Sequence, residues 1–266
     1  MKIRIDQLMY DAGLTDSREK AKRLIMSGII YIDNLRVDKP GTKVDCDSNI
    51  EIRGKKLKYV SRGGLKLEKA IENYNINLKE KVCMDVGAST GGFTDCMLQN
   101  NAEKVYSIDV GYGQLDWKLR NHEAVINLEK TNMRYINFDK IGEKVDFISV
   151  DVSFISLSKI IPVLDQFTKD TTEAVILIKP QFEAGRENVK KNGVVREKSV
   201  HEEVLIKTIK MINDNHWEII ELTYSPVKGP KGNIEFLVYC KKNEIQDIFL
   251  NKEYIKGIVE KAHINL

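Results

Sequence analysis

The chain has 266 residues, of which 42% are hydrophobic and 30% are charged, so either one large domain or a small and a large domain can bury an apolar core. No apolar run approaches the roughly 18 residues that a membrane span needs, and the first residues lack a secretion signal, which favours a cytoplasmic protein. The four cysteines are scattered and no His stands at ligand spacing, so we expect reduced, buried thiols and no metal site.

The net charge of +3 is distributed unevenly along the chain. Residues 1–66 contain fifteen Lys and Arg against nine Asp and Glu, whereas the remainder carries a small negative charge. A basic N-terminal region predicts a polyanionic partner. A solvated lysine-rich surface would produce the same bias.

The first fifty residues predict a small α+β module. Residues 4–29 are typical of two short helices, and Ser17 suits the N-cap of the second. Two short β runs then flank a hairpin turn at Asp33 and Asn34, and residues 49–52 predict a further strand.

This module resembles the S4 RNA-binding domain over the segment S-R-E-K-A-K-R-L-I-M-S-G-I-I-Y-I-D-N-L-R-V-D-K-P-G-T-K-V. The resemblance implies that basic residues on the second helix face RNA, although a solvated helix face would carry the same residues. The residues that we expect to contact RNA are Arg4, Arg18, Lys20, Arg23 and Arg62.

A charged stretch at residues 53–62 has no clear hydrophobic period and marks the predicted domain boundary. We place an S4-like domain at residues 1–58, a linker at 59–62 and a second domain at 63–266.

From residue 82 onward, apolar strands alternate with helical segments, which predicts an α/β fold with a mostly parallel sheet and helices on both faces. Two late runs predict an antiparallel pair that closes the sheet. Residues 181–198 suggest a mobile loop, and residues 245–262 a helix packed at the sheet edge. The predicted strands are 82–86, 105–108, 145–150, 174–178, 218–223 and 235–239.

The stretch V-C-M-D-V-G-A-S-T-G-G-F, from Val82 to Phe93, runs from a strand through a glycine-rich turn into a helix. Such a turn in an open α/β sheet is where a nucleotide-like cofactor binds, although a tight turn without a ligand needs glycine too. Asp109, at the end of the next strand, suits the ribose hydroxyls of either NAD or S-adenosylmethionine. Asp85 would repel a pyrophosphate and attract a sulfonium, which favours S-adenosylmethionine. The residues that we expect around this cofactor are Asp85, Gly87, Ala88, Ser89, Thr90, Gly91, Gly92, Phe93, Asp109 and, near the adenine, Met133.

Four further charged residues are expected at the same edge of the sheet. Lys66 stands near the start of a helix, Asp151 and Lys179 each end a strand, and Glu235 begins the last strand. Each alone is ordinarily a solvated or capping residue. Because the carboxyl ends of parallel strands share one edge, we expect the four to converge in one pocket of alternating charge.

These four residues resemble the Lys-Asp-Lys-Glu catalytic tetrad of the FtsJ/RrmJ-like ribose 2′-O-methyltransferases. Together with S-R-G-G-L-K-L, D-V-G-A-S-T-G-G-F-T and G-P-K-G-N-I-E-F, the chain is similar to the TlyA family of ribosomal RNA cytidine-2′-O-methyltransferases, also called hemolysin A. The resemblance implies S-adenosylmethionine as methyl donor and ribosomal RNA or ribosomal subunits as partner. It also implies that Lys179 is the base, with Lys66, Asp151 and Glu235 arranged around it. No metal is required, because the leaving group departs neutral, and the two-domain plan makes a monomer the default.

Three alternatives stay open at this point. The chain could be an S4-type ribosome factor without catalysis, or a membrane-active hemolysin as the family's second name suggests. A methyltransferase acting on a base is the third, although neither an N-P-P-Y-type motif nor an evident catalytic cysteine occurs.

Overall fold

The structure is a computed structural model and describes residues 2–26, 28–53, 58–189, 192–243 and 251–266. The chain divides into two units, residues 1–56 and 57–266, each with its own core. The predicted helix at 245–262 falls partly on residues 244–250, which lie outside the described residues; from Lys252 onward it is present. No helix in the described ranges is long and apolar enough to cross a membrane.

The first unit packs two helices against two small antiparallel sheets. Ser17 caps the second helix, because its Oγ accepts the backbone N–H of Lys20 at 3.2 Å. The hairpin turn at Asp33 and Asn34 has φ of 48° and 70°, as a two-residue turn requires. The elements are β1 (Lys2–Arg4), α1 (Ile5–Asp11), α2 (Arg18–Met26), β2 (Ile30–Ile32), β3 (Leu35–Val37), β4 (Lys43–Asp45) and β5 (Ile50–Ile52).

The sequence predicted both helices, the hairpin and β5 but not the pair of β1 with β4, two three-residue strands too short to show a period. The core of this unit is aliphatic and includes Ile5, Met9 and Ile25, all fully buried. The expectation of buried thiols is wrong for Cys46, which is exposed, whereas Cys83, Cys96 and Cys240 are buried.

The second unit is a seven-stranded sheet covered by helices on both faces. Its strands are β6 (Val82–Val86), β7 (Lys104–Ile108), β8 (Val125–Leu128), β9 (Val145–Val150), β10 (Thr168–Ile178), β11 (Trp217–Tyr224) and β12 (Phe236–Lys242). Its α-helices are α3 (Gly63–Tyr74), α4 (Gly92–Gln99), α5 (Trp117–Arg120), α6 (Ile161–Leu164), α7 (Pro180–Glu183), α8 (Lys198–Asp214) and α9 (Lys252–Asn265). Short 3₁₀ turns lie at Met133–Tyr135, Phe138–Lys140, Leu157–Lys159, Asp165–Phe167, Arg186–Asn188 and Pro230–Gly232.

The strand order is β11-β12-β10-β9-β6-β7-β8, and all neighbouring pairs are parallel except those made by β12. The predicted mostly parallel α/β sheet is confirmed, and β12 is inserted antiparallel between β10 and β11. Strand β8 was missed because its side chains are only partly buried. The chain leaves β6 in one direction and returns on its other side at β9, so the topological switch point lies between β6 and β9.

The two faces of β10 show why this region forms a central strand. Ala174, Ile176 and Ile178 point into one apolar cluster, and Val175 and Leu177 into the other. Because such a strand is buried on both faces, its sequence is a continuous run of apolar residues. The loop predicted at 181–198 is interrupted by the end of α7 and a 3₁₀ turn, and residues 190–191 lie outside the described residues.

Candidate active site

The glycine-rich turn joins β6 to α4 at the switch point and is pinned to the next strand. The backbone N–H groups of Gly87 and Ala88 both donate to the carbonyl of Ile108, at 2.9 and 3.0 Å. Gly87, Ser89 and Gly91 have φ of 89°, 50° and 90°. This left-handed backbone explains glycine at two of the three positions.

The glycines are needed for packing inside the protein. A Cβ on Gly87 would lie 2.5 Å from the carbonyl oxygen of Asp151, and one on Gly91 would lie 2.2 Å from the Leu119 side chain. A Cβ on Gly92 would lie 2.3 Å from the Ser61 hydroxyl. Neighbouring protein segments therefore exclude side chains at these positions, and the predicted approach of the same turn to a cofactor stays a prediction.

The Asp85 side chain lies beneath the turn, fully buried. One oxygen accepts bonds from the Thr94 N–H and hydroxyl at 2.9 and 2.7 Å, and the other accepts the Ser149 hydroxyl at 3.0 Å. Burial raises the pKa of Asp85 to about 6, against the opposing effect of these hydrogen bonds. Asp85 thus joins β6, α4 and β9, and its predicted contact with a cofactor stays a prediction.

Other residues predicted around the cofactor divide between the surface and the interior. Ser89 is exposed and Thr90 is partly exposed, whereas Ala88, Gly91, Gly92 and Phe93 are buried. The Met133 side chain is also buried, in the apolar core with Ile136 and Ile141, and its predicted place near the adenine stays a prediction. The sequence did not show which of these residues are buried, because exposed turn residues and buried core residues can be adjacent in the chain.

Asp109 stands at the end of β7, where its carboxylate organises two turns. One oxygen accepts the N–H of Ser89 at 2.8 Å and the other that of Gly111 at 2.7 Å. The side chain stays partly exposed. The second strand end therefore presents a fixed negative charge beside the turn.

The four charged residues predicted at this edge do meet. Lys66 is in the first turn of α3, Asp151 and Lys179 directly follow β9 and β10, and Glu235 directly precedes β12. Because β12 runs antiparallel to β10, its first residue lies at the edge where β10 ends.

The distances place the charges in alternating order. Lys179 Nζ lies 2.5 Å from Asp151 Oδ1, and Lys66 Nζ lies 3.7 Å from Asp151 Oδ2 and 2.6 Å from Glu235 Oε2. Glu235 is fully buried, and both lysines are 8% exposed. The Asp151 side chain is 19% exposed, so the cluster opens toward solvent there.

Two polar residues join this cluster that the sequence did not single out. Ser153 accepts a hydrogen bond from Lys179 Nζ at 2.8 Å, and Gln181 donates to Glu235 Oε1 at 3.1 Å. Both follow a predicted catalytic residue by two positions, which is the signal that would have found them. They fix the orientation of Lys179 and satisfy the second oxygen of Glu235.

A strained aromatic residue lies beside the cluster. Phe154 has φ of 63° and its side chain is 91% exposed, and its ring centroid lies 5.1 Å from that of Phe182. A bulky residue in the left-handed region costs free energy and is concentrated at functional sites. Its place three residues after Asp151 is the one sequence feature that points to Phe154.

The residues predicted to contact RNA show mixed surroundings. Arg4 and Arg18 both donate to the buried Asp6, at 2.9 and 3.2 Å, and Lys20 pairs with Asp16 at 2.5 Å. Bonds from Arg4 first, and then from Arg18, lower the pKa of Asp6 to about 2 despite burial. Arg23 and Arg62 are exposed; Arg62 precedes α3, in the second unit.

Comparison with known proteins identifies relatives over the whole chain. Residues 59–242 match the model of the FtsJ-like methyltransferases, and residues 3–48 match that of the S4 domain. The chain is 47% identical over 270 aligned residues to YqxC of Bacillus subtilis, covering all of this chain and 95% of that protein.

Two further matches cover at least nine tenths of this chain. The 16S/23S rRNA (cytidine-2′-O)-methyltransferase TlyA of Mycobacterium tuberculosis is 37% identical over 239 residues, which are 90% of this chain and 89% of that protein. A solved structure from Streptococcus thermophilus superposes with a TM-score of 0.80 at 45% identity, covering 99% of this chain and 96% of the other.

Proposed function

The chain belongs to the FtsJ-like methyltransferase family, and we propose that it transfers a methyl group from S-adenosylmethionine to the 2′-hydroxyl of a cytidine ribose in ribosomal RNA. The observation that carries the proposal is the alternating cluster of Lys66, Asp151, Lys179 and Glu235 beside the glycine-rich turn. We choose a cytidine of ribosomal RNA as the substrate because the name of the TlyA relative specifies both.

S-adenosylmethionine, when bound, supplies a methyl group on a positively charged sulfur. The residues at the switch point fit such a molecule. The Asp109 carboxylate, fixed by two backbone N–H groups, would accept the ribose hydroxyls, and the exposed Ser89 would lie along the same molecule. Asp85 would hold the shape of the turn from below.

The chemistry of the cluster suits a ribose hydroxyl. This hydroxyl is a weak nucleophile and must lose its proton as its oxygen bonds to the methyl carbon. The neutral amine of Lys179 would accept that proton, and Asp151 at 2.5 Å would stabilise the ammonium that results. Ser153 holds the same nitrogen at 2.8 Å, which restricts its direction.

Lys66 would serve as the stationary positive charge of the site. Its ammonium is fixed by Glu235 at 2.6 Å, and Glu235 is in turn held by Gln181. A fixed cation beside the reacting oxygen stabilises the negative charge that develops there. Lys179 would thus accept a proton, whereas Lys66 would remain charged throughout the reaction.

The exposed ring of Phe154 is suited to hold the base of the target nucleotide. A base stacked on an aromatic side chain gains about 1–3 kcal/mol. A nucleotide must leave its helix before its ribose can enter a site at the sheet edge. Phe154 would hold the extruded base three residues from Asp151.

The test is to incubate the protein with S-adenosylmethionine and purified 30S or 50S subunits from a strain that lacks the gene. We expect 2′-O-methylcytidine after nuclease digestion and mass spectrometry. A methylated base in its place, or no methyl transfer to RNA of either subunit, would contradict the proposal.

A further inference from the structure

A basic pocket of about 400 Å³ lies beside the start of β12. It is formed by residues 194–196, by the loop 228–234 and by the last turns of α9. Its cationic lining residues are Arg196, Lys228 and Lys231, and the imidazole of His263 also lines it. No carboxylate lines this basic pocket within the part of the chain that the structure describes.

The basic pocket adjoins the active site through neighbouring residues of the chain. Ile234, in its lining, directly precedes Glu235. The buried Asn233 accepts the N–H of Val195 at 3.1 Å and donates to the carbonyl of Gly193 at 2.9 Å. The two loops of the pocket are therefore fixed to each other one residue away from Ile234.

The cations of the basic pocket are available to an outside anion. Among the described residues, Arg196, Lys228 and Lys231 form no ion pair with a carboxylate at hydrogen-bond distance. Arg196, Lys228 and Lys231 are exposed to solvent. Lysine and arginine that converge in this way are the usual contacts of phosphate groups.

The histidine of the basic pocket has a buried partner. His263 Nε2 lies 2.9 Å from Nδ1 of His201, which is fully buried on α8 and packs edge-on against Phe236. Burial lowers the pKa of His201 to about 4, and burial together with Lys198 and Lys228 lowers that of His263, while Glu197 opposes the shift. A fixed imidazole thus forms one wall and can donate or accept a hydrogen bond.

We propose that the basic pocket binds a phosphate of the RNA strand whose ribose enters the active site. The inference rests on the proposed function, because it assigns the pocket to the same substrate. A phosphate held there would fix the strand on the side of Glu235, because the positive charge of the pocket attracts the phosphate, whereas the two carboxylates of the cluster repel it. A free inorganic phosphate has the same recognition chemistry, and the experiment separates the two.

The first measurement uses the salt dependence of binding to the ribosomal subunit that the wild-type protein methylates. Each phosphate contact contributes about 0.7–0.9 to the slope of the logarithm of affinity against the logarithm of salt concentration. We expect Lys228→Gln and Arg196→Gln each to reduce that slope by about this amount. Lys256→Gln, an equal change of charge at an exposed position of α9 outside the pocket, should leave it unchanged.

The second measurement follows the imidazole NMR signals of His263 while cytidylyl-cytidine or inorganic phosphate is added to the full-length protein. A shift caused by the dinucleotide and lost in Lys228→Gln supports the RNA assignment. A shift caused by inorganic phosphate alone would overturn it, and so would no shift with either.

Methyl transfer by the wild-type protein distinguishes failure of the pocket assignment from failure of the proposed function. If the wild type methylates rRNA while Lys228→Gln and Lys256→Gln bind with equal salt slopes, the pocket assignment is wrong and the function stands. If the wild type transfers no methyl group, the proposed function fails, and the pocket assignment that rests on it fails with it.

Discussion

The carboxylate of Asp151 bridges two lysines, with one oxygen 2.5 Å from Lys179 Nζ and the other 3.7 Å from Lys66 Nζ. Asp151 and Lys179 end neighbouring parallel strands, so their pairing follows from the order of β9 and β10 in the sheet. Lys66 reaches the same carboxylate from α3, and Glu235 holds it there. One carboxylate thus sets the distance between the proposed base and the proposed stationary cation.

Substitution of Glu235 by Gln should destabilise the fold. Glu235 is fully buried and pairs with Lys66, so its neutralisation leaves a buried ammonium with less compensation. We expect a loss of about 3–5 kcal/mol in the free energy of unfolding, measured in urea. The double variant Lys66→Met, Glu235→Gln should lose less than the two single variants combined. Additive losses would show that the pair is not coupled.

Gly87→Ala should both destabilise the protein and lower methyl transfer. The new Cβ would lie 2.5 Å from the Asp151 carbonyl oxygen, in a backbone with φ of 89°. Gly142→Ala is the matched control, because its φ is 75° and nothing lies within 4 Å of the added atom. The control should lose only the roughly 1–2 kcal/mol of left-handed backbone. Equal stability and activity in the two variants would contradict the packing role of Gly87.

The buried Asp85 predicts a pH effect on stability. Burial raises the pKa of Asp85 from 3.8 to about 6, so the folded protein holds this proton more tightly than the unfolded chain does. Protonation of Asp85 contributes about 3 kcal/mol to the free energy of unfolding. This contribution is fully present below about pH 4 and is lost as the pH rises through about 6.

Asp85→Asn removes this titration. The difference in free energy of unfolding between the variant and the wild type should therefore change between pH 4 and pH 6, in favour of the variant at the higher pH. Urea titrations at a series of pH values measure it. Parallel curves for the two proteins would rule out a raised pKa.

Phe154→Ala should weaken catalysis without unfolding the protein, because the ring is 91% exposed. Loss of one stacked base, about 1–3 kcal/mol, corresponds to about a 5- to 150-fold fall in kcat/KM for ribosomal RNA. Phe154→Tyr keeps the ring and should retain activity. If the alanine variant matches the wild type, Phe154 does not hold the base.

The sequence predicted most of the sheet and three of the four charged residues because polar residues flank the buried apolar runs at strand ends, whereas Lys66 stands near the start of a helix. Asp151 and Lys179 follow apolar strands, and Glu235 precedes one, so their positions could be inferred without coordinates. Strand β8 escaped prediction because its partly buried residues have no strong pattern.

The sequence did not reveal which way several side chains of the candidate site point. Asp85 and Met133 lie in motifs typical of cofactor sites, yet both side chains turn inward. Gly87 was attributed to the approach of a ligand, and the carbonyl of Asp151, 64 residues later in the chain, is a further reason why a side chain is excluded there. Contacts between distant segments decide these points, and one sequence does not reveal them.

Lys179 is the residue that we propose to accept the proton of the ribose hydroxyl. The most direct measurement compares 2′-O-methylcytidine formation by the wild type, Lys179→Met and the exposed control Lys159→Met, on the same ribosomal subunits with S-adenosylmethionine. Loss of a general base predicts a fall of about 10²–10⁴-fold in kcat for Lys179→Met, with the binding of S-adenosylmethionine unchanged. The control should equal the wild type, and methyl transfer at the wild-type rate by Lys179→Met would contradict the account.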